Sequence, residues 1–344
     1  MNESSSEITG LLYRRLRAAL YEKIYSGEYA DGALIPAERE LASRHGMSRV
    51  TVRSTLAALE AEGLVARCQG HGTRVTLRTV GYPGPIDLIA VIAPAQNPFF
   101  ASFIRHFEEA AVAHDALVVF RQAADHTVVD SLFSFYCRSI RNILVWPYDE
   151  VVDLAKLVRL RGLGMNLVFF DRVLESPSVD CVSVDNAHAV ETLYRHLRSR
   201  GGQRVAYIGW QNEVLTSNRE REAAFLRYAG PECVYRLPWN KETGVDEEIQ
   251  KLLGQAGARW DAFLCGNGVI GIAARRFVKA HRMSASVACM DDLPGAAELG
   301  LTVYSQPMDK LAGMACRRLI AQAEDAASWK ARAHLIKGTL VVRD

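Results

Sequence analysis

Between Ile35 and Val75 the chain reads IPAERELASRHGMSRVTVRSTLAALEAEGLVARCQGHGTRV, which packs two short helices, a sharp turn and a hairpin into 41 residues. Glu38 to His45 has helix-forming composition, and Gly46 supplies the permissive backbone needed where one helix stops and the chain turns. Ser48 is the expected N-cap of the next helix. From Arg49 onward Val52, Leu56 and Leu59 recur at i, i+4 and i+7, the buried stripe of an amphipathic helix. The opposite face carries Ser48, Arg49, Thr51 and Arg53 in its first turn and a half, the part of a recognition helix that enters a major groove. Arginine is well shaped for bidentate contact with guanine or phosphate. Gly63 ends the helix, and Leu64 to Cys68 and Thr73 to Leu77 are expected as two strands around the turn QGHG, the tip of a wing.

Three motifs in this stretch, Pro36-Ala37-Glu38-Arg39, Ser48-Arg49-Val50-Thr51-Val52-Arg53 and Gln69-Gly70-His71-Gly72-Thr73, resemble the winged helix-turn-helix domain of the gluconate-repressor (GntR) family of bacterial transcription factors, over roughly Leu11 to Leu77. The resemblance implies double-stranded operator DNA as partner. It also implies that Arg39, Arg49, Thr51 and Arg53 lie in and beside the major groove, while Gln69, Gly70 and His71 approach the minor groove. Ala37 stands where the family has serine, so its helix is expected to lack a side-chain cap, at a cost of about 1 kcal/mol.

With 344 residues the chain has room for two or three cores, and 49% hydrophobic with 23% charged residues is ordinary soluble composition. Residues 1–80 hold 11 Lys plus Arg against 9 Asp plus Glu, so the net charge of +2 sits wholly in the part read as DNA-binding. Such a slight excess favours local contacts over a polybasic footprint. Seven scattered cysteines without a C-x-x-C pair argue against a disulfide framework or a zinc site, so a reducing cytoplasm and no metal are expected. The polar start MNESSSEITG is unlike a signal peptide, and no run of eighteen apolar residues suggests a membrane span.

Arg78 to Pro85, with two prolines and two glycines, reads as a linker. Beyond it, apolar runs alternate with helical stretches: Leu88–Ala93, Phe100–Ala113, Ala116–Phe120, Val128–Ser139 and Asn142–Trp146, then Leu167–Phe170, Ala187–Arg200, Val205–Ile208, Arg219–Tyr228, Ala262–Cys265, Gly268–His281 and Val287–Met290. Continuous apolar strands between amphipathic helices indicate α/β architecture with parallel sheets covered on both faces, and ligands bind at the carboxyl ends of such strands. Those ends carry Asn97-Pro98-Phe99-Phe100, Asp171-Arg172, Arg219 and Arg221, Gly266-Asn267 and Asp291-Asp292. Carboxylates, an amide, a guanidinium and rings suit a polyhydroxylated ligand. The same residues admit plainer roles: Asp171 pairing with Arg172, Asn267 capping the following helix, and one of Phe99 and Phe100 in the core.

The phrases NPFF, FFDR with VSVDN, HLRSRGGQRVAYIG, CGNG and LTVYSQPMDKLAGMACRRLI make the chain from about Ile86 to Asp344 resemble the effector domain of the lactose/galactose-repressor (LacI/GalR) family, itself similar to periplasmic sugar-binding proteins. The resemblance implies two Rossmann-like subdomains, about 86–180 plus 307–337 and about 181–306 plus 338–344. It implies a ligand cleft lined by Asp171, Arg221, Asn267 and Asp291, with Phe99 and Phe100 facing it, Trp239 stacking on a sugar and Gln306 at the hinge. Trp146 and Trp210 receive no role. Two departures bear on the cleft: Gly268 replaces an aspartate after Asn267, and Ala224 replaces a glycine.

Residues 8–77 are therefore expected to form the winged helix-turn-helix domain, 78–85 the linker, and 86–344 the effector-binding and dimerisation domain. No catalytic elbow, zincin helix, Walker loop or dinucleotide fingerprint is found, so neither catalysis nor a cofactor is expected. The expected molecule is a cytoplasmic homodimeric repressor, since one short recognition helix reads few base pairs. Its effector is expected to be a sugar or sugar derivative, with a phosphorylated sugar, purine or amino acid as competitor. The alternative is a binding protein or enzyme acting on a sugar or nucleoside.

Overall fold

The computed structural model describes residues 3–68, 70–77, 86–122, 128–147, 151–174, 179–212, 214–239, 244–256, 259–324 and 328–343. The expected linker, 78–85, lies outside the described residues.

The N-terminal part comprises α1 (Glu3–Ser26), β1 (Leu34–Ile35), α2 (Glu38–His45), α3 (Arg49–Ala61), β2 (Val65–Cys68) and β3 (Gly72–Val75). Its three strands form an antiparallel sheet in the order β1-β3-β2. Gly46 takes the left-handed conformation with φ of 62°, which lets its N–H reach back to the last carbonyls of α2 and turns the chain into α3. Ser48 caps α3 by accepting from the Thr51 N–H, whereas Ala37 gives α2 no side-chain cap, as its chemistry dictates. Val52, Leu56 and Leu59 are fully buried against Leu16, Leu20 and Ile24 of α1.

Two six-stranded sheets follow. The first has the order β14-β8-β7-β6-β4-β5 and is parallel throughout. It is built from β4 (Leu88–Ala93), β5 (Leu117–Gln122), β6 (Asn142–Val145), β7 (Asn166–Phe170), β8 (Asp180–Val184) and β14 (Ala333–Ile336). Helices α4 (Phe100–Val112) and α11 (Met308–Glu324) cover one face, and α5 (Val128–Tyr136) and α6 (Leu154–Gly162) the other. The second sheet has the order β10-β9-β11-β12-β13-β15. It comprises β9 (Val205–Gln211), β10 (Val234–Pro238), β11 (Ala262–Cys265), β12 (Ser286–Met290), β13 (Thr302–Ser305) and β15 (Thr339–Val341), the last antiparallel to β13. Helices α7 (Asn186–Ser199) and α8 (Thr216–Phe225) pack on one face and α9 (Val245–Ala256) and α10 (Gly268–Ala280) on the other. Because both faces are covered, β4, β6, β7, β8 and β11 are apolar or buried along nearly their whole length.

One expected boundary moves. The first crossing between subdomains falls at Asp185, because residues 180–184 pair with β7 as β8, with Val168 opposite Asp180, and so belong to the first sheet. The other crossings follow Ser305 and precede Thr339.

Candidate ligand cleft and nucleic-acid interface

The carboxyl ends of eight strands open onto one cleft of about 740 Å³, including the part open to solvent. β7 delivers Asp171, β12 Asp291, β11 Asn267 and β13 Gln306, while α8 contributes Arg221 and the segment after β4 contributes Phe99. Trp239, just past β10, completes the set expected from sequence. Phe100 does not join it: its ring turns onto Phe120 of β5, centroids 4.7 Å apart, because consecutive residues at a helix start point in different directions. Sequence reasoning missed Trp146 after β6, Trp210 on β9, and Ser217 and Asn218 at the start of α8, all of which line the cleft. Their common signal was position at a strand end or the turn after it.

The two carboxylates occupy equivalent places. Each directly follows its strand, each has a positive φ (56° at Asp171, 76° at Asp291), and each backbone N–H donates to the neighbouring strand, to Val182 O at 2.9 Å and to Tyr304 O at 3.0 Å. Left-handed geometry at a non-glycine residue costs about 1–3 kcal/mol and persists where the surroundings enforce it. Here it turns both side chains into the cleft.

Asp291 is buried; its Oδ1 accepts from Gln306 Nε2 at 2.6 Å and its Oδ2 from the Gly268 N–H at 3.3 Å. A Cβ on Gly268 would stand 3.0 Å from the Asp291 Cβ and 2.9 Å from Leu293, so the glycine makes room for this approach. Asn267 spends its Oδ1 on capping α10, accepting from Val269 N–H and Ile270 N–H at 2.9 and 3.2 Å, which leaves its amide N–H groups as the donors it can offer a ligand. The buried Arg221 donates Nε to Asn186 Oδ1 and Nη1 to Gly266 O, both at 2.7 Å, so its guanidinium is fixed in orientation. Asn218 is 9% exposed and its Nδ2 has no hydrogen-bond partner among the described residues. Trp146 hydrogen bonds Asp171 and meets Phe170 edge-on at 4.6 Å, and Trp210 meets Trp239 edge-on at 5.4 Å. Burial pushes Asp171 up to about 6; the Arg221 charge offsets part of that rise and Asp291 adds to it.

On the N-terminal part, Arg49 and Arg53 are exposed on α3 and Arg39 on α2. Thr51 is not on that surface. It is 6% exposed, with Oγ1 2.8 Å from Ser48 Oγ, so it braces the cap from inside. Arg53 pairs with Glu38 at 3.1 Å, and Arg67 on β2 donates to the Arg53 carbonyl. Gly70 and His71 are exposed at the hairpin turn, whereas Gln69 lies outside the described residues. Arg67 and Arg74, exposed on the hairpin, had no place in the expected set.

A winged helix joined to a periplasmic-binding-protein-like domain is thus the class that the fold defines. Residues 12–75 match the bacterial regulatory proteins, gntR family, and residues 194–344 match the periplasmic binding protein-like domain, so the chain carries a GntR-type domain ahead of a periplasmic-binding-protein-like one. The probable fructoselysine utilization operon transcriptional repressor of Escherichia coli (strain K12) is 40% identical over 70 residues, 20% of this chain and 29% of that protein. The chain therefore spans about three tenths of the first curated relatives it matches. The arabinose metabolism transcriptional repressor of Geobacillus stearothermophilus is 22% identical over 353 residues, 96% of each chain. Among solved structures, the transcriptional regulator CelR-cellobiose complex superposes with a TM-score of 0.63 at 17% identity, covering 90% of this chain and 99% of that one, a likeness of fold.

Proposed function

We propose that the protein is a transcriptional repressor that binds double-stranded operator DNA as a homodimer and changes its hold on that DNA when a carbohydrate enters the cleft. The observation that carries this reading is the pairing, in one chain, of a winged helix exposing Arg49 and Arg53 with a cleft whose two strand-end aspartates stand among aromatic rings. Carboxylates accept hydrogen bonds from hydroxyls, the Asn218 and Asn267 amides donate to ring and hydroxyl oxygens, and Trp146, Trp210 and Trp239 offer faces for the apolar side of a sugar. Full-length similarity to an arabinose metabolism repressor supports the same class.

An uncharged sugar fits better than a phosphorylated one. Of the three arginines that raised the phosphate alternative, only Arg221 lines the cleft, where its formal charge faces two aspartates; Arg219 is exposed and Arg172 is not among the lining residues. A phosphate there would meet like charge. For the dimer, β5 is an edge strand whose Leu117, Val119 and Phe120 are exposed beside Val112 of α4, an apolar strip suited to a second copy. The seven cysteines are free thiols, in keeping with a cytoplasmic site of action, and no helix among the described residues is long and apolar enough to cross a membrane.

Thermal unfolding against a panel of free sugars, sugar phosphates, nucleosides and amino acids tests the reading, since a ligand of the folded form raises Tm. A saturable rise with a free sugar is expected. A rise with sugar phosphates or nucleosides alone would overturn the carbohydrate assignment.

A further inference from the structure

The hydrophobic core of the winged helix does not end at its own boundary. Leu16, Leu20, Tyr21, Ile24 and Tyr25 of α1 belong to the same buried cluster as Leu132, Phe135 and Tyr136 of α5 and Leu157 and Leu160 of α6. Across this seam the Tyr25 ring stacks on Phe133 with centroids 4.1 Å apart and planes 7° from parallel, and Tyr21 meets Tyr136 edge-on at 5.0 Å. The polar rim is complementary: Tyr25 Oη donates to Asp130 Oδ1 at 3.2 Å, and Lys156 of α6 reaches the same carboxylate at 3.5 Å. Gly27, just past α1 with φ of 86°, lets the Arg159 guanidinium approach where a Cβ would stand 2.7 Å from it.

Both ends of the seam lead to functional surfaces. Tyr21 donates its hydroxyl to Glu62, the C-cap of the recognition helix α3, and Arg17 pairs with the same carboxylate. On the other side Arg141 lies over the Tyr136 ring at 3.9 Å and donates to the Tyr136 carbonyl at 2.6 Å. Arg141 immediately precedes β6, whose far end delivers Trp146 to the cleft.

We propose that this aromatic seam is the positioning device for DNA binding: α1 docks each winged helix on the first sensor subdomain, so the recognition helix takes its orientation from that subdomain and not from the stretch 78–85. The proposal rests on the regulator reading above. A connection of that length holds the domains at an effective concentration in the millimolar range, so a seam of modest size stays closed. In a dimer the distance between the two α3 helices is then set by how the first subdomains pack. A ligand that shifts those subdomains shifts the half-site spacing directly.

The test uses the full-length protein and two variants on the sensor side, Phe133→Lys and Asp130→Lys. Phe133 is only partly buried with the winged helix docked, and Asp130 has a half-exposed side chain, so both variants should leave the sensor folded, which a thermal melt verifies. Small-angle scattering is expected to give a compact particle for the wild type and a larger maximum dimension for Phe133→Lys, with Asp130→Lys moving the same way by less. With duplexes selected by the wild type from a random DNA library, Phe133→Lys is expected to bind about tenfold more weakly. It should also tolerate insertions of a few base pairs between half-sites that the wild type rejects. An unchanged scattering profile in both variants, or unchanged spacing preference in an expanded variant, would overturn the proposal. If the wild type selects no duplex, the regulator reading fails on its own, and the scattering comparison still decides whether the seam docks the two parts.

Discussion

Gln306 donates its side-chain amide to Asp291 Oδ1 at 2.6 Å, tying a residue on the chain's return from the second subdomain to the first to the most buried carboxylate of the cleft. A ligand that donates a hydrogen bond to Asp291 therefore acts on a group already joined to a hinge crossing.

Removing that tie should weaken the ligand without unfolding the protein. Hydrogen bonds to charged groups are worth about 1.5–3 kcal/mol, so Gln306→Ala is expected to lower affinity for the sugar found by thermal screening roughly tenfold or more in calorimetric titration. Unaltered affinity would show that Asp291 acts without Gln306.

Asn218 offers a cleaner separation of binding from stability. Its Nδ2 is buried without a partner among the described residues, so Asn218→Ala removes no hydrogen bond seen there; Tm should hold or rise while sugar affinity falls. A drop in Tm with unchanged affinity would assign Asn218 to the scaffold.

Asp171 sets a pH dependence. Burial lifts its carboxyl from 3.8 to about 6, so its contribution to the stability of the ligand-free protein is present in full below pH 3.8 and is lost as pH rises through about 6. Ligand binding runs the other way, because a hydroxyl donates to the ionised form. Sugar affinity should therefore grow as pH rises through about 6, and Asp171→Asn should flatten the profile. An identical step in the variant would place the titrating group elsewhere.

Arg53 is held by Glu38 in the free protein. Arg53→Ala should weaken the selected duplex by about 1–3 kcal/mol, the range for a base-reading arginine, whereas Glu38→Ala should free the guanidinium and strengthen binding to unrelated DNA. Thr51→Val should act through stability, since Thr51 is buried behind the cap. Filter binding across a salt series separates these effects.

Much of this was legible in the sequence where local chemistry decides. β4 and β11 begin and end where their apolar runs do, and Gly46 and Ser48 announce the turn and cap they form. Asp171, Asn267 and Asp291 were found because strand ends in parallel sheets face the ligand side. What escaped depends on three-dimensional convergence. Trp146 and Trp210 matter only once β6 and β9 are known to end at one cleft, and Phe100 differs from Phe99 by a single helical step. Residues 181–184 read as the opening of the second subdomain, and their place in β8, paired with β7, puts them in the first. The tyrosines of α1 carry no local mark of their partners 105 or more residues away.

The central claim is that a sugar in the cleft alters the grip on DNA, and fluorescence anisotropy of a labelled, selected duplex titrated with protein, with and without saturating sugar, tests it most directly. A change in operator affinity of roughly 5- to 150-fold is expected, and its loss in Asp291→Ala. The same affinity with and without a sugar that demonstrably raises Tm would contradict it.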